Sequence, residues 1–176
     1  METRLTNKIV YKIWKHFVSS AMHVINLLNG KKFPVDVLPI EKRDYKSIRK
    51  IDFYFNWRDE AGYGVYKLVM KGDKNILGLI SVERFPMEWR LHIRLLCAAR
   101  NHVGKNKIYD RIAGNLMAYV AKLAVTEFGV MACLSLRPKT SLQSHYCRKY
   151  RMNATGTLLS LEVPEINNLI NEYCHE

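Results

Sequence analysis

The sequence predicts an α/β (α+β) fold, a mixed and mostly antiparallel sheet with helices on both faces. Three observations carry that prediction. In VYKLVMKGDKNILGLISVER two β-rich runs flank a tight turn, the mark of a hairpin within a meander. A polar, glycine-containing stretch then opens a long amphipathic helix that feeds a continuous apolar run, so a β-loop-α-β unit follows the meander. Finally, 176 residues at 48% hydrophobic and 25% charged match a globular chain with one core, and exclude a disordered one.

The elements follow in order. Ile9, Ile13, Phe17, Ala21, Val24 and Leu28 recur at helical spacing with lysines between them, and Asn29-Gly30 closes the pattern. This predicts an amphipathic helix within residues 1–30, ahead of a single domain over 31–176. Basic residues before FVSSAMHVINLL imitate a signal peptide, but His23 and Asn26 interrupt the run and it is too short to span a bilayer. The apolar face of such a helix suits its own domain, a second protomer in a homodimer, or a membrane surface.

KKFPVDVLPI reads as extended, and Tyr45, Ile48 and Ile51 in EKRDYKSIRKI as a short helix leading to an aromatic connection around Trp57. After the hairpin, EWRLHIRLLCAA is a strand with Trp89, Leu91, Ile93 and Leu95 on one face and Arg90, His92 and Arg94 on the other. The polar region 100–115 leads into a helix carrying Leu116, Val120, Leu123 and Ala124, which Gly129 stops. VMACLSLR is a buried strand that Pro138 breaks. Thr140 or Ser141 is placed to cap the helix SLQSHYCRKY, TGTLLSLEV is a strand, and Pro164 starts a last helix burying Ile166, Leu169, Ile170 and Tyr173.

Charge narrows the partners. Lys and Arg outnumber Asp and Glu by 28 to 16, a net +12 that favours nucleic acid, an anionic membrane or a phosphorylated small molecule, or that serves solubility alone. The basic residues are spread along the chain without a helix-turn-helix, zinc-finger or RNP motif, so no stable nucleic-acid or membrane partner is expected. Cys97, Cys133, Cys147 and Cys174 are far apart and form no CxxC, which argues against a metal framework and for a reducing, cytoplasmic compartment.

The junction after strand 88–99 is the best ligand site in the chain. The first-turn N–H groups of a helix lack intrahelical partners, and the helix dipole draws negative charge to them. Arg100, Lys105, Lys107 and Arg111 surround that helix start, and Gly104 and Gly114 permit close backbone approach. A pyrophosphate-bearing ligand matches this set; a solvated basic loop is the plainer alternative.

From residue 76 to 150 the order of elements resembles the central half of the GNAT (N-acetyltransferase) superfamily. NKIYDRIAGNLMAYVAKLAVTEFG looks like that family's phosphate-binding loop and long helix, and LSLRPKTSLQSHYCRKYRM like the strand and helix that follow. VLPI, FNW, VYKL, GLIS and NKIYDRIAGNLMAY are similar to a small group of uncharacterised bacterial GNAT-like proteins, and the resemblance covers roughly residues 33–173. It implies acetyl-CoA as co-substrate, with no metal, and transfer of the acetyl group to the amine of an unidentified acceptor. Its pyrophosphate would meet Arg111, Ile112, Ala113, Gly114 and Asn115, and its pantetheine arm would lie between strands 88–97 and 130–136 like an added strand. Against the family pattern Q/R-x-x-G-x-G/A, Arg111 stands at the first glycine, Ala113 at the second small residue and Ile108 at Gln/Arg. An arginine there either salt-bridges a phosphate or blocks its approach.

The resemblance also implies a helix tyrosine, Tyr146, as the acid that protonates the departing thiolate. For the base the residues leave His92, Glu83 and Glu88 open, His92 having the more useful pKa. Cys97 reads as core. Three functions therefore stand: an acyl-CoA-dependent N-acetyltransferase, a catalytically inactive GNAT-like domain that binds CoA or a partner, and a basic nucleic-acid-binding protein.

Overall fold

The computed structural model describes residues 22–174. Nine strands form one sheet: β1 (His23–Asn26), β2 (Lys32–Pro39), β3 (Gly64–Met70), β4 (Ile76–Phe85), β5 (Arg90–Ala98), β6 (Tyr109–Asp110), β7 (Cys133–Leu136), β8 (Asn153–Thr155) and β9 (Leu158–Leu161). Their order across the sheet is β6-β1-β2-β3-β4-β5-β7-β9-β8. Every neighbouring pair is antiparallel except β5 and β7, which run parallel. A parallel pair needs a crossover, and α2 (Ile112–Phe128) supplies it. The other helices are α1 (Lys50–Phe53), α3 (Gln143–Tyr150) and α4 (Val163–Cys174).

Two cores divide the layers. Ile112, Leu116, Met117 and Val120 of α2, with Ile166, Leu169, Ile170 and Tyr173 of α4, pack on Leu91, Ile93, Leu134 and Leu136. On the opposite face Phe53 of α1 and Trp57 cover Val65, Leu79 and Cys97. Helical cover on both faces, over a sheet that is antiparallel save for one pair, is the predicted class. Gly78 lets the two layers close: a Cβ there would meet Ile112 and Leu116 of α2 and the backbone of Cys97.

The structure corrects several local expectations. His23–Asn26 is a strand paired with β2, so Val24 and Leu28 do not continue a helix; the rest of the expected N-terminal helix lies outside the described residues. Asn29-Gly30 is the turn of that hairpin, with Gly30 at φ 68° and Asn26 N–H donating to Lys31 O at 2.9 Å. Segment 41–51 is not one helix but a 3-10 turn, Asp44–Lys46, followed by α1. Neither Thr140 nor Ser141 caps α3; they form a 3-10 turn, and Leu142 takes the N-cap position. Trp89 sits before β5 at φ 46°, exposed.

The strand β5 carries the correction that matters most. Its register against β4 slips between Ser81↔Leu95 and Val82↔Ile93, leaving Arg94 as the extra residue of a bulge. Leu91 and Ile93 therefore face α2, while Leu95 and Cys97 face α1.

Candidate functional site

The site begins where β5 and β7 part. Their ladder ends at Ile93↔Leu136, and β7 ends there too, whereas β5 continues to Ala98. Beyond Ile93 the edge of β5 that faced β7 has no strand beside it, so its outward N–H and C=O groups can receive an extended ligand as a further strand. At the far end of β5 the chain turns through Arg100–His102 and reaches the N-terminus of α2. That helix start has no side-chain cap from its N-cap residue, and the dipole there draws negative charge, of which the Asp110 carboxyl, bonded by the Arg111 N–H, is the one already present among the described residues.

Arg111 is the N-cap of α2, with φ 74° and ψ 4°. A left-handed backbone is what glycine adopts without penalty and other residues adopt at a cost. Here an arginine holds the conformation. Its guanidinium stacks 4.5 Å from the ring centroid of Tyr173 and donates to Glu172 O at 2.6 Å, while its Nε is buried with no hydrogen-bond partner. The last turn of α4 thus sits on the first turn of α2: a Cβ on Gly114 would run into the Tyr173 ring. Asn115 is fully buried and donates from Nδ2 to His23 O and Arg111 O, both at 2.8 Å, locking α2 to β1.

The remaining expected contacts separate into groups. Arg100 faces α1, donating to Ile51 O at 2.6 Å and lying 4.4 Å over Tyr54. Gly104 (φ 84°) and Lys105 lie on the exposed loop. Lys107 binds Asp110 at 2.7 Å. Burial opposes ionisation of Asp110, but Lys107 and the Arg111 N–H win and hold its carboxyl below the usual range. Ile112 is buried in the core and Ala113 is half-buried at the helix start.

Tyr146 and His92 lie on opposite faces of the sheet. Tyr146 packs beside Tyr150 in the helical layer, 5.8 Å between centroids, and burial pushes its phenol up, so it stays protonated at neutral pH. His92 alternates with Leu91 and Ile93, so it points to the other face, where its Nδ1 lies 2.8 Å from Ser135 Oγ. Burial foremost, then Arg90, holds the imidazole below its usual pKa. Glu83 is opposite His92 in the ladder and bound to Arg94 at 2.9 Å; Glu88 is bound to Arg90 at 2.7 Å. Cys97 is buried with its thiol pushed up to about 12, a core residue.

Sequence reasoning missed Glu60, Arg94 and Ser135. Glu60, only 7% exposed, accepts from Ser81 Oγ at 2.5 Å and from Arg94 Nε at 3.0 Å, and Arg94 lies 3.7 Å over Tyr63. These residues wall the α1 side of the parting strands. The alternation of Ser135 with Leu134 and Leu136 was the only available signal for it. Among the described residues no group of three or more His, Cys, Asp or Glu is arranged to hold a metal ion, and no helix is long and apolar enough to cross a membrane.

No protein-family model and no curated protein sequence matches the chain. Solved structures do. The ribosomal-protein-S18-alanine N-acetyltransferase of Escherichia coli is similar at TM-score 0.57 and 9% identity, over 73% of this chain and 94% of that one. Spermidine N-acetyltransferase of Vibrio cholerae, a dodecamer, gives 0.54 and 11% over 80% and 96%. PaiA N-acetyltransferase of Thermoplasma acidophilum, solved with coenzyme A, gives 0.55 and 6% over 73% and 99%. The chain shares its fold with these N-acetyltransferases.

Proposed function

We propose that this chain is an acyl-CoA-dependent N-acetyltransferase that moves an acetyl group from acetyl-CoA to the amine of an acceptor. The observation that carries the reading is the parting of β5 from β7 beyond Ile93, next to the uncapped start of α2. One end of that feature accepts an extended pantetheine arm and the other a pyrophosphate, which is the division of acetyl-CoA into its two halves. The orphaned Nε of Arg111 fits the same anion.

In this reading the ligand contacts are Arg111, Ile112, Ala113, Gly114 and Asn115 at the helix start, with Arg100, Gly104, Lys105 and Lys107 around its mouth. The amine enters from the face of α1. Tyr146 supplies the proton to the thiolate from the helical side, where burial keeps the phenol protonated until the thiolate forms. The protein works in the cytoplasm, without a metal, as a monomer or a homodimer.

One observation favours a second reading, a GNAT-like domain that binds without turnover. Tyr173 covers Gly114, and Arg111 is engaged with α4, so a ligand at the helix start meets the last turn of α4. Calorimetry with acetyl-CoA followed by a thiol-release screen over primary amines separates the two. Micromolar binding, about −8 kcal/mol, with thiol release supports the enzyme; binding with no release to any amine supports the silent domain; no heat near millimolar acetyl-CoA refutes the enzyme and leaves only a domain that recognises a partner other than CoA.

A further inference from the structure

On the acceptor face a chain of side chains links three strand positions. Arg90 Nη1 donates to Ser135 Oγ at 2.8 Å, and Ser135 Oγ lies 2.8 Å from His92 Nδ1. His92 and Ser135 are register partners across the parallel ladder, so both point to one face. Ser135 is only 1% exposed.

Those facts fix the protons. Arginine only donates, so one lone pair of Ser135 Oγ is used by Arg90. If His92 also donated, from Nδ1–H, the serine proton would have no acceptor in a buried site, at about 1–3 kcal/mol. If the serine proton goes to Nδ1, every group is satisfied. His92 then carries its own proton on Nε2. Arg90 is in turn held by Glu88 at 2.7 Å and lies 4.2 Å over the Phe85 ring, which His92 also meets edge-on at 6.3 Å. The donor at the head of the relay is therefore fixed in place.

We infer that Arg90 and Ser135 are positioning residues that present His92 as a neutral Nε2–H donor to the acyl oxygen, not as the base that deprotonates the amine. The inference rests on the acetyl-transfer reading for its chemistry and on the hydrogen bonds alone for its tautomer. His92 lies one residue before the place where β5 leaves β7. The amine nitrogen attacks the thioester carbon, and the carbonyl π pair moves to oxygen, where Nε2–H stabilises it. When that pair returns, the C–S bond breaks. The thiolate takes a proton from Tyr146, and the phenolate regains one, through water, from the ammonium formed by the attack. His92 ends the cycle with the proton it began with.

The test has two readouts. Long-range 15N–1H correlation of the histidine rings at neutral pH, with His92 assigned by its loss in His92→Gln, reports the tautomer without any substrate. The Nε2–H pattern is expected in the native protein, a mixed pattern in Ser135→Ala and the native pattern again in Ser135→Thr; an Nδ1–H pattern in the native protein overturns the relay. With acetyl-CoA and an accepted amine, His92→Gln, which keeps a donor, should retain within about tenfold of the native kcat, and His92→Ala should lose about a hundredfold or more at unchanged KM. Equal losses in the two variants overturn the donor role and leave the acetyltransferase standing. Absence of transfer by the native protein overturns both.

Discussion

The contact between Gly114 and Tyr173 yields a sign as well as a magnitude. A methyl group on residue 114 enters the space of the Tyr173 ring, which is 2% exposed and held between Arg111 at 4.5 Å and Tyr150 at 6.5 Å. The ring therefore cannot yield easily, and overpacking of this kind costs about 1–3 kcal/mol. In a helix, glycine to alanine returns up to about 1 kcal/mol of backbone propensity. With the full propensity returned, the net effect of Gly114→Ala is a destabilisation of up to about 2 kcal/mol. In a Tyr173→Ala background the obstacle is gone and only the propensity remains, so the same substitution should be neutral or stabilising by up to about 1 kcal/mol. Urea unfolding of the four proteins, followed by circular dichroism, gives a coupling of about 2 kcal/mol between the two sites. An equal cost of Gly114→Ala in both backgrounds would refute the docking of α4 on the first turn of α2.

Three further outcomes are expected. His92 and His102 are held below the usual 6.5, chiefly by burial, so the unfolded chain binds more protons than the native one as pH falls. Their contribution is complete above about pH 6.5 and is lost as pH drops through the lowered native values; Tm should hold from pH 8 to 7 and then decline, and a Tm that rises toward pH 5.5 would contradict this. Glu60→Ala leaves the buried Ser81 hydroxyl without its acceptor and Arg94 with Glu83 alone, and should cost about 2–3 kcal/mol, whereas Glu60→Gln keeps an acceptor for Ser81 and should cost less in chemical denaturation. The Cys97 thiol, buried and pushed up to about 12, should react with a disulfide reagent only at the rate of unfolding; fast labelling of Cys97 in native buffer would place it elsewhere.

The parts of the fold that depend on local pattern were legible in the chain. KGDKN marked the β3–β4 turn, Gly129 the end of α2 (φ 60°), and Ile166, Leu169, Ile170 and Tyr173 the buried face of α4. The parts that depend on pairing were not. Val24 and Leu28 fit a helical period as well as they fit β1 and its turn, and only the hairpin propensity of Asn29-Gly30 pointed the other way. The bulge at Arg94 is set by the ladder with β4, so no periodicity within β5 reveals that Leu95 and Leu91 face different layers.

The candidate site divides in the same manner. The basic, glycine-bearing start of α2 was visible because charge and glycine content are local. That Arg111 and Gly114 meet α4 was hidden, since Glu172 and Tyr173 lie some sixty residues further along the chain. Ser135 sits in an apolar run, and only the parallel register with His92 gives its hydroxyl a task. Glu60 resembles any charged residue of a solvated connection until its carboxylate is found beneath Arg94 and Ser81.

Amide hydrogen exchange with and without acetyl-CoA tests the central claim most directly. Protection should appear at the free edge of β5 over residues 95–98 and in the first turn of α2 over 112–114, with the sheet edge β8–β9 unchanged. Binding that leaves both segments unprotected, or no binding near millimolar acetyl-CoA, would contradict the placement of the ligand between the parting strands and the helix start.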